Sequence, residues 1–172
     1  EKHLLIDMEQ RLDAFSASPE ILLEGWQRPE DWGTWIQREK ATLSLLTPGT
    51  TDRDVELVLE ARADIKASNA SIRLTVSVNS TIVGDWPLSN RNPDPRRRFI
   101  IPQDVFNSVL PAKLELQIKP ATAGIKVGLR SLTIREVNRL SEFNGHIDSC
   151  AGQKLSGWAV AEALAVPVIA MI

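Results

Sequence analysis

Gly25, Trp26, Glu30, Trp32, Gly33 and Trp35 sit together in "GWQRPEDWGTW", residues 25–35, which holds three of the chain's five tryptophans. An indole offers a flat, rigid apolar face that packs on the C–H face of a pyranose ring at low entropic cost. Carboxylates and amides beside it hydrogen-bond hydroxyls and fix their orientation. On those grounds Trp32, Trp35 and Glu30 are candidate carbohydrate-binding residues. Trp86 joins them because it lies beside Pro87 and a polar loop. Trp26 follows Gly25 in an apolar run and reads as core. On a regular strand, residues three apart face opposite sides. Trp32 and Trp35 should then diverge, with at most one on a binding surface and the other in the core. Glu30, between two indoles, can accept the N–H bonds that a buried tryptophan needs.

Other chemistries lack their parts. The two histidines, His3 and His146, have no neighbours at metal-ligand spacing. No nucleophile elbow and no glycine-rich phosphate loop occurs. Glu30 and Asp31 would point to opposite faces of a strand, which argues against a glycosidase pair. Asp52, Asp54, Asp85, Asp94 and Asp104 do not follow calcium-loop spacing and read as solvated turn acids. Arg96, Arg97 and Arg98 read as a charged edge strand rather than an anion clamp. No catalytic residue, metal ligand or cofactor is expected, and the segment is read as non-enzymatic.

The elements that must carry the tryptophans follow from periodicity. Leu4, Leu5, Met8, Leu12 and Phe15 recur at helical spacing, predicting an amphipathic helix over residues 1–18 that Pro19 closes. Beyond it the period becomes two: Leu43 and Leu45, then Val55 to Ala61, Ile72 to Val78, and Leu114 to Ile118. Leu57, Leu74, Val76 and Leu116 should share one core. "VNST" at 78–81 predicts a hairpin in which Asn79 takes positive φ. Residues 89–98 read as a proline-rich loop and 101–106 as one helical turn. In "KVGLRSLTIREV" the apolar parity slips, which a bulge near Arg130 and Ser131 would repair. About seven or eight short strands make a mainly β fold, an antiparallel β-sandwich of jelly-roll type over residues 19–138, behind the N-terminal α-helix. "LEGW" at 23–26 returns as "LSGW" at 155–158. Residues 138–145 read as a linker, and 139–172 as that linker with the start of a second β-unit, so the chain is expected to be a piece of a longer protein.

The 172 residues carry 20 basic and 22 acidic side chains, a net charge of −2. That balance gives no field to draw in nucleic acid. The most apolar stretch, "WAVAEALAVPVIAMI", is broken by Glu162 and Pro167 and is short for a membrane span. The single cysteine, Cys150, leaves no internal disulfide and fits a reducing compartment, read as a cytoplasmic location.

The order Gly25-Trp26, Pro29-Glu30, Trp32-Gly33-x-Trp35 resembles the opening strands of β-sandwich accessory domains attached to bacterial cell-surface polysaccharide glycosyltransferases. Ala41 to Leu45, then Ile101 and Pro102, then Val127 to Ile134 match further features of that pattern, and together they span about residues 22–137. The tail "GHIDSCAGQKLSGWAV" is similar to the start of another module of such proteins. Thr34 stands where the pattern more often has arginine, which removes any polar role tied to that arginine. The resemblance implies a non-catalytic accessory domain of a glycosyltransferase, carbohydrate-binding-module-like, with glycan and neighbouring domains as partners. The alternative is a purely structural module that docks neighbouring domains without binding glycan.

Overall fold

Alternation of apolar and polar residues at period two organises almost every described segment of the chain. The computed structural model describes residues 7–47, 49–66, 71–120, 124–137, 143–151 and 154–161. They fall in two compact units, Glu1–Glu136 and Val137–Ile172.

The first unit is two antiparallel sheets. One sheet runs β1 (Asp7–Arg11), β10 (Ile125–Glu136), β5 (Val55–Ile65), β8 (Arg96–Ile101), with the two-residue β3 (Thr34–Trp35) also paired to β10. The other runs β2 (Leu22–Glu24), β4 (Lys40–Leu45), β9 (Ala112–Lys119), β6 (Ser71–Val78), β7 (Thr81–Ser89). Leu57 and Leu59 from the first sheet and Leu74, Val76 and Leu116 from the second lie in one buried cluster. Burying the inner face of each sheet against the other leaves the outer faces polar, as the alternation requires. The short helix α1 (Gln103–Asn107) seals one end with Phe106. In the hairpin between β6 and β7, Asn79 and Ser80 both take positive φ. The Asn79 amide also donates to the carbonyls of Val105, Phe106 and Val109, tying that turn to α1 and the loop after it.

The N-terminal helix is not present where the structure describes the segment. Leu4 and Leu5 lie outside the described residues, but Asp7–Arg11 is strand β1, paired with Arg135 to Ser131 of β10. Helix and strand propensities differ by a few tenths of a kcal/mol per residue. Here the open edge of β10 supplies a ladder of hydrogen bonds, and Leu12 at the end of β1 becomes fully buried. Asp13 then accepts the backbone N–H groups of Phe15 and Ser16 and turns the chain away from the sheet.

β10 positions the outer face. One of its edges pairs with β5 along its length. The other is divided, β1 taking residues 131–135 and β3 taking Gly128 and Leu129. The register against β5 shifts between Leu129 and Ser131, the bulge that the parity slip predicts. It keeps Val127, Leu129, Leu132 and Ile134 all in the core while Arg130 reaches solvent.

The second unit is described as one hairpin, β11 (Phe143–Ala151) with β12 (Lys154–Ala161), whose register shifts between Ile147 and Ser149. Residues 138–142 of the expected linker lie outside the described residues; residues 143–145 belong to β11 rather than to a linker.

Truncating Leu74 or Leu116 to alanine should cost about 2–5 kcal/mol in urea denaturation. Ile82→Ala, at an exposed side chain, should change stability by no more than about 0.5 kcal/mol. Equal losses at all three positions would contradict this register.

Candidate functional site

Trp32 and Trp35 do not diverge. Their ring centroids lie 4.5 Å apart with planes at 62°, an edge-to-face pair. The expectation of opposite faces assumed a regular strand, and the segment is not one. Glu30 N–H donates to the Gly33 carbonyl at 2.7 Å, closing a tight turn with Asp31 and Trp32 at its tip. The chain then re-enters extended structure at Thr34 as β3. Across that turn both indoles fall on the same side, each half-buried.

Two glycines make the arrangement fit. At Gly33 a Cβ would lie 2.3 Å from the Leu129 carbonyl oxygen, so only glycine lets the turn press against β10. At Gly128 a Cβ would lie 2.5 Å from Cη2 of Trp32, 2.6 Å from the Thr34 carbonyl oxygen and 3.0 Å from Cε3 of Trp35. Val127 and Leu129 on either side point into the core, so the face that Gly128 vacates is the outer one. The indole pair lies there, on the solvent face of the first sheet. Thr34 is fully buried, and its hydroxyl donates to the Gln27 carbonyl at 3.0 Å, a purely structural part.

Glu30 does what its position between the indoles predicts: its carboxylate accepts the Trp32 Nε1–H at 2.6 Å. The Arg62 guanidinium, on β5 directly opposite Gly128, lies over the Trp32 ring at 5.1 Å from its centroid. Trp86 is placed differently. It is 3% exposed and packs edge-on against Phe99, so its ring has no face to offer a ligand. Trp26 is half-buried against the core and donates its indole N–H to the Thr42 carbonyl at 2.7 Å. It lines a groove of about 450 Å³ with Pro19, Leu22, Leu23 and Pro29, apart from the indole pair.

Beyond the indoles, the outer face continues as a ladder of charges whose pairing the sequence does not show, although Asp94 and Arg96 to Arg98 stand out in it as a turn acid and a charged edge strand. Arg62 faces Asp94 at 3.9 Å, Asp94 faces Arg130 at 3.7 Å, Arg130 pairs with Glu60 at 3.2 Å, and Glu60 pairs with Arg96 at 3.1 Å. Farther along β5, Glu56 is held by Arg135 at 2.6 Å and by Arg98. A groove of about 420 Å³ runs over this region, lined by Glu9, Glu56, Glu60, Arg96, Thr133 and Arg135. Residues 56, 58, 60 and 62 share this face, and at the rise of a strand they span roughly 20 Å. The signal in sequence was the pairing of Glu56 and Glu60, four apart, with three arginines at 96–98. Only the β5–β8 register, Val58 opposite Arg98 and Glu60 opposite Arg96, brings them together.

Burial pushes the Glu56 carboxyl up, but hydrogen bonds and charge from Arg135 and Arg98 outweigh it and hold the group below its ordinary value. For Glu60 the Arg96 hydrogen bond leads, against burial, with the same result. Both carboxylates therefore stay ionised, and the face is a fixed array of guanidinium donors. Among the described residues, no three His, Cys, Asp or Glu side chains gather as a metal centre, and no helix is long and apolar enough to cross a membrane.

No family model and no curated protein matches the chain by sequence. Solved structures do match in fold. The xylan-binding module CBM15 superposes with a TM-score of 0.52 at 16% identity, over 78% of this chain and 97% of that one. Dimeric latent PorU from Porphyromonas gingivalis superposes with a TM-score of 0.51 at 14% identity, over 77% of this chain but only 12% of that much longer one. The CBM36-1 domain of a multidomain xylanase from the hindgut metagenome of Trinervitermes trinervoides matches at a TM-score of 0.47 and 12% identity, over 76% and 99%. The first unit thus shares its fold with the xylan-binding module CBM15 and with a part of PorU.

Two outcomes follow from the geometry. Gly128→Ala should push the indoles off the sheet, cost about 1–3 kcal/mol, and erase the exciton couplet of the indole pair in circular dichroism; an unchanged couplet would contradict the packing. A carboxylate held below its ordinary 4.5 adds stability above that pH and loses it as pH falls through the folded value. Wild-type stability in urea should therefore fall more steeply below about pH 4.5 than that of Glu56→Gln. Parallel pH profiles would contradict the pairing.

Proposed function

We propose that the unit Glu1–Glu136 is a non-catalytic carbohydrate-binding domain that holds a glycan on the outer face of its first sheet. Trp32 and Trp35 supply the apolar contact, and the arginine–carboxylate ladder supplies the polar one. The observation that carries this reading is the indole pair. Two half-buried tryptophans at 4.5 Å, on a solvent-facing sheet and held by an indole N–H bond to Glu30, form a preorganised aromatic surface. A fold shared with a xylan-binding module supports a polysaccharide ligand. The motif resemblance over about residues 22–137 supports an accessory role beside a bacterial glycosyltransferase, where such a domain would retain the polymer near a catalytic domain. In that role its own residues bind and orient the glycan.

One observation favours a second reading, a domain that docks its neighbours. The groove beside Trp26 is largely apolar, and Phe15, next to its Ala14 wall, is 87% exposed. Such surface commonly marks a contact with protein.

Affinity electrophoresis through gels containing soluble xylan separates the two. Trp32→Ala and Trp35→Ala should each weaken retardation by at least about tenfold in apparent affinity, or 1.4 kcal/mol, while unfolding curves show both variants folded. Binding that survives both substitutions, and fails on changing Trp26, would move the site to the groove.

A further inference from the structure

We infer that the glycan taken by this face is anionic, a polymer carrying uronate units, and that Arg62 is the residue that selects it. The inference rests on the reading of Trp32 and Trp35 as the binding surface and names the substrate class of that same site.

Arg62 differs from the other arginines of the ladder. Arg96 and Arg130 hold Glu60 at hydrogen-bond distance, and Arg135 holds Glu56 in the same way. Among the described residues Arg62 has only Asp94 as an ionic partner, at 3.9 Å, the far limit of an ion pair, with both side chains nearly half exposed at 43% and 46%. Exposed pairs of this kind contribute little, and a competing anion displaces them readily. Its guanidinium also lies over the Trp32 ring, 5.1 Å from the centroid, where the ring quadrupole attracts it. With Asp94 beyond hydrogen-bond distance, the guanidinium keeps N–H groups able to donate to a ligand.

A planar guanidinium in that state presents two parallel donors that match a carboxylate. It lies beside the tryptophan pair, within reach of a group carried by a sugar bound there. Asp94, a carboxylate at 3.9 Å, pairs with the guanidinium without reaching hydrogen-bond distance. An incoming uronate would replace like with like and make closer bonds. The ladder gives the exchange somewhere to go, since Asp94 also faces Arg130 at 3.7 Å and keeps a cation when Arg62 turns to the ligand. Glu30, bonded to the Trp32 N–H, repels a carboxylate placed beside it. An anionic group is therefore favoured beside Arg62 and disfavoured beside Glu30.

The test compares undecorated xylan with glucuronate-bearing xylan of the same backbone, titrated by isothermal calorimetry against wild type, Arg62→Gln, Arg62→Lys and Trp32→Ala. Wild type should bind the glucuronate-bearing polymer at least tenfold more tightly, with the advantage shrinking as salt rises. Arg62→Gln should abolish the advantage, so that this variant binds the two polymers with equal affinity. Arg62→Lys, which keeps the charge and loses the fork, should retain part of it. Trp32→Ala should weaken both polymers. Equal affinities in wild type, or an advantage that survives Arg62→Gln, would overturn the selection by Arg62 and leave the glycan-binding reading standing. No binding of either polymer by folded wild type would overturn both.

Discussion

A missing side chain at Gly128 is the constraint on which the outer face depends. β10 is the strand that every other member of its sheet except β8 touches, with β5 on one edge and β1 and β3 sharing the other. At its middle, any side chain would enter the space of Trp32, Trp35 and the Thr34 carbonyl together. Because Gly128 is empty on that face, two large aromatic rings can lie on a sheet that faces water without lifting β3 from its partner. Gly33 makes the same allowance from the other direction, letting the turn at residues 30–33 approach the β10 backbone. The rings are thus held by backbone geometry rather than by a hydrophobic core, which leaves part of their surface available.

The same face solves a second problem. An outward sheet surface with five arginines would repel itself, and buried carboxylates such as Glu56, 2% exposed, would be costly if unpaired. Interleaving them in registers set by the β5–β8 and β5–β10 ladders cancels both costs. Charge-assisted hydrogen bonds then fix the arginine side chains before any ligand arrives, so little rotamer entropy remains to be lost on binding. Where the ladder ends, at Arg62, the restraint passes from a carboxylate to an indole. The free donors therefore lie beside the aromatic surface, where polar and apolar contacts to one ligand would meet.

Much of the scaffold was legible in the sequence because alternation is a direct record of burial. Leu57, Leu74, Val76 and Leu116 are fully buried, the Asn79 hairpin has the φ values its sequence asks for, and the parity slip near Arg130 is a bulge. Glu30 as an acceptor for an indole was legible too, since it needed only neighbours in sequence. What failed was any inference requiring knowledge of tertiary context. Met8 and Leu12 fit a helix as well as a strand, and the open edge of β10 decided between them. The relation of Trp32 to Trp35 turned on whether residues 30–33 form a turn. The fate of Trp86 turned on Phe99, thirteen residues away and on the other sheet. The ladder from Arg62 to Arg96 draws on β5, β8, β10 and the loop before β8, so no local pattern contains it.

Each tryptophan carries one indole N–H, so a single spectrum reports which part of the molecule meets a ligand. With 15N-labelled protein, the indole resonances of Trp26, Trp32, Trp35 and Trp86 can be assigned by single substitutions and followed during titration with xylo-oligosaccharides bearing glucuronate. The account predicts that Trp32 and Trp35 shift together and saturate at one concentration, while Trp86 and Trp26 stay where they are. Movement of Trp26 with Trp32 and Trp35 unmoved would contradict it and place the ligand in the groove instead.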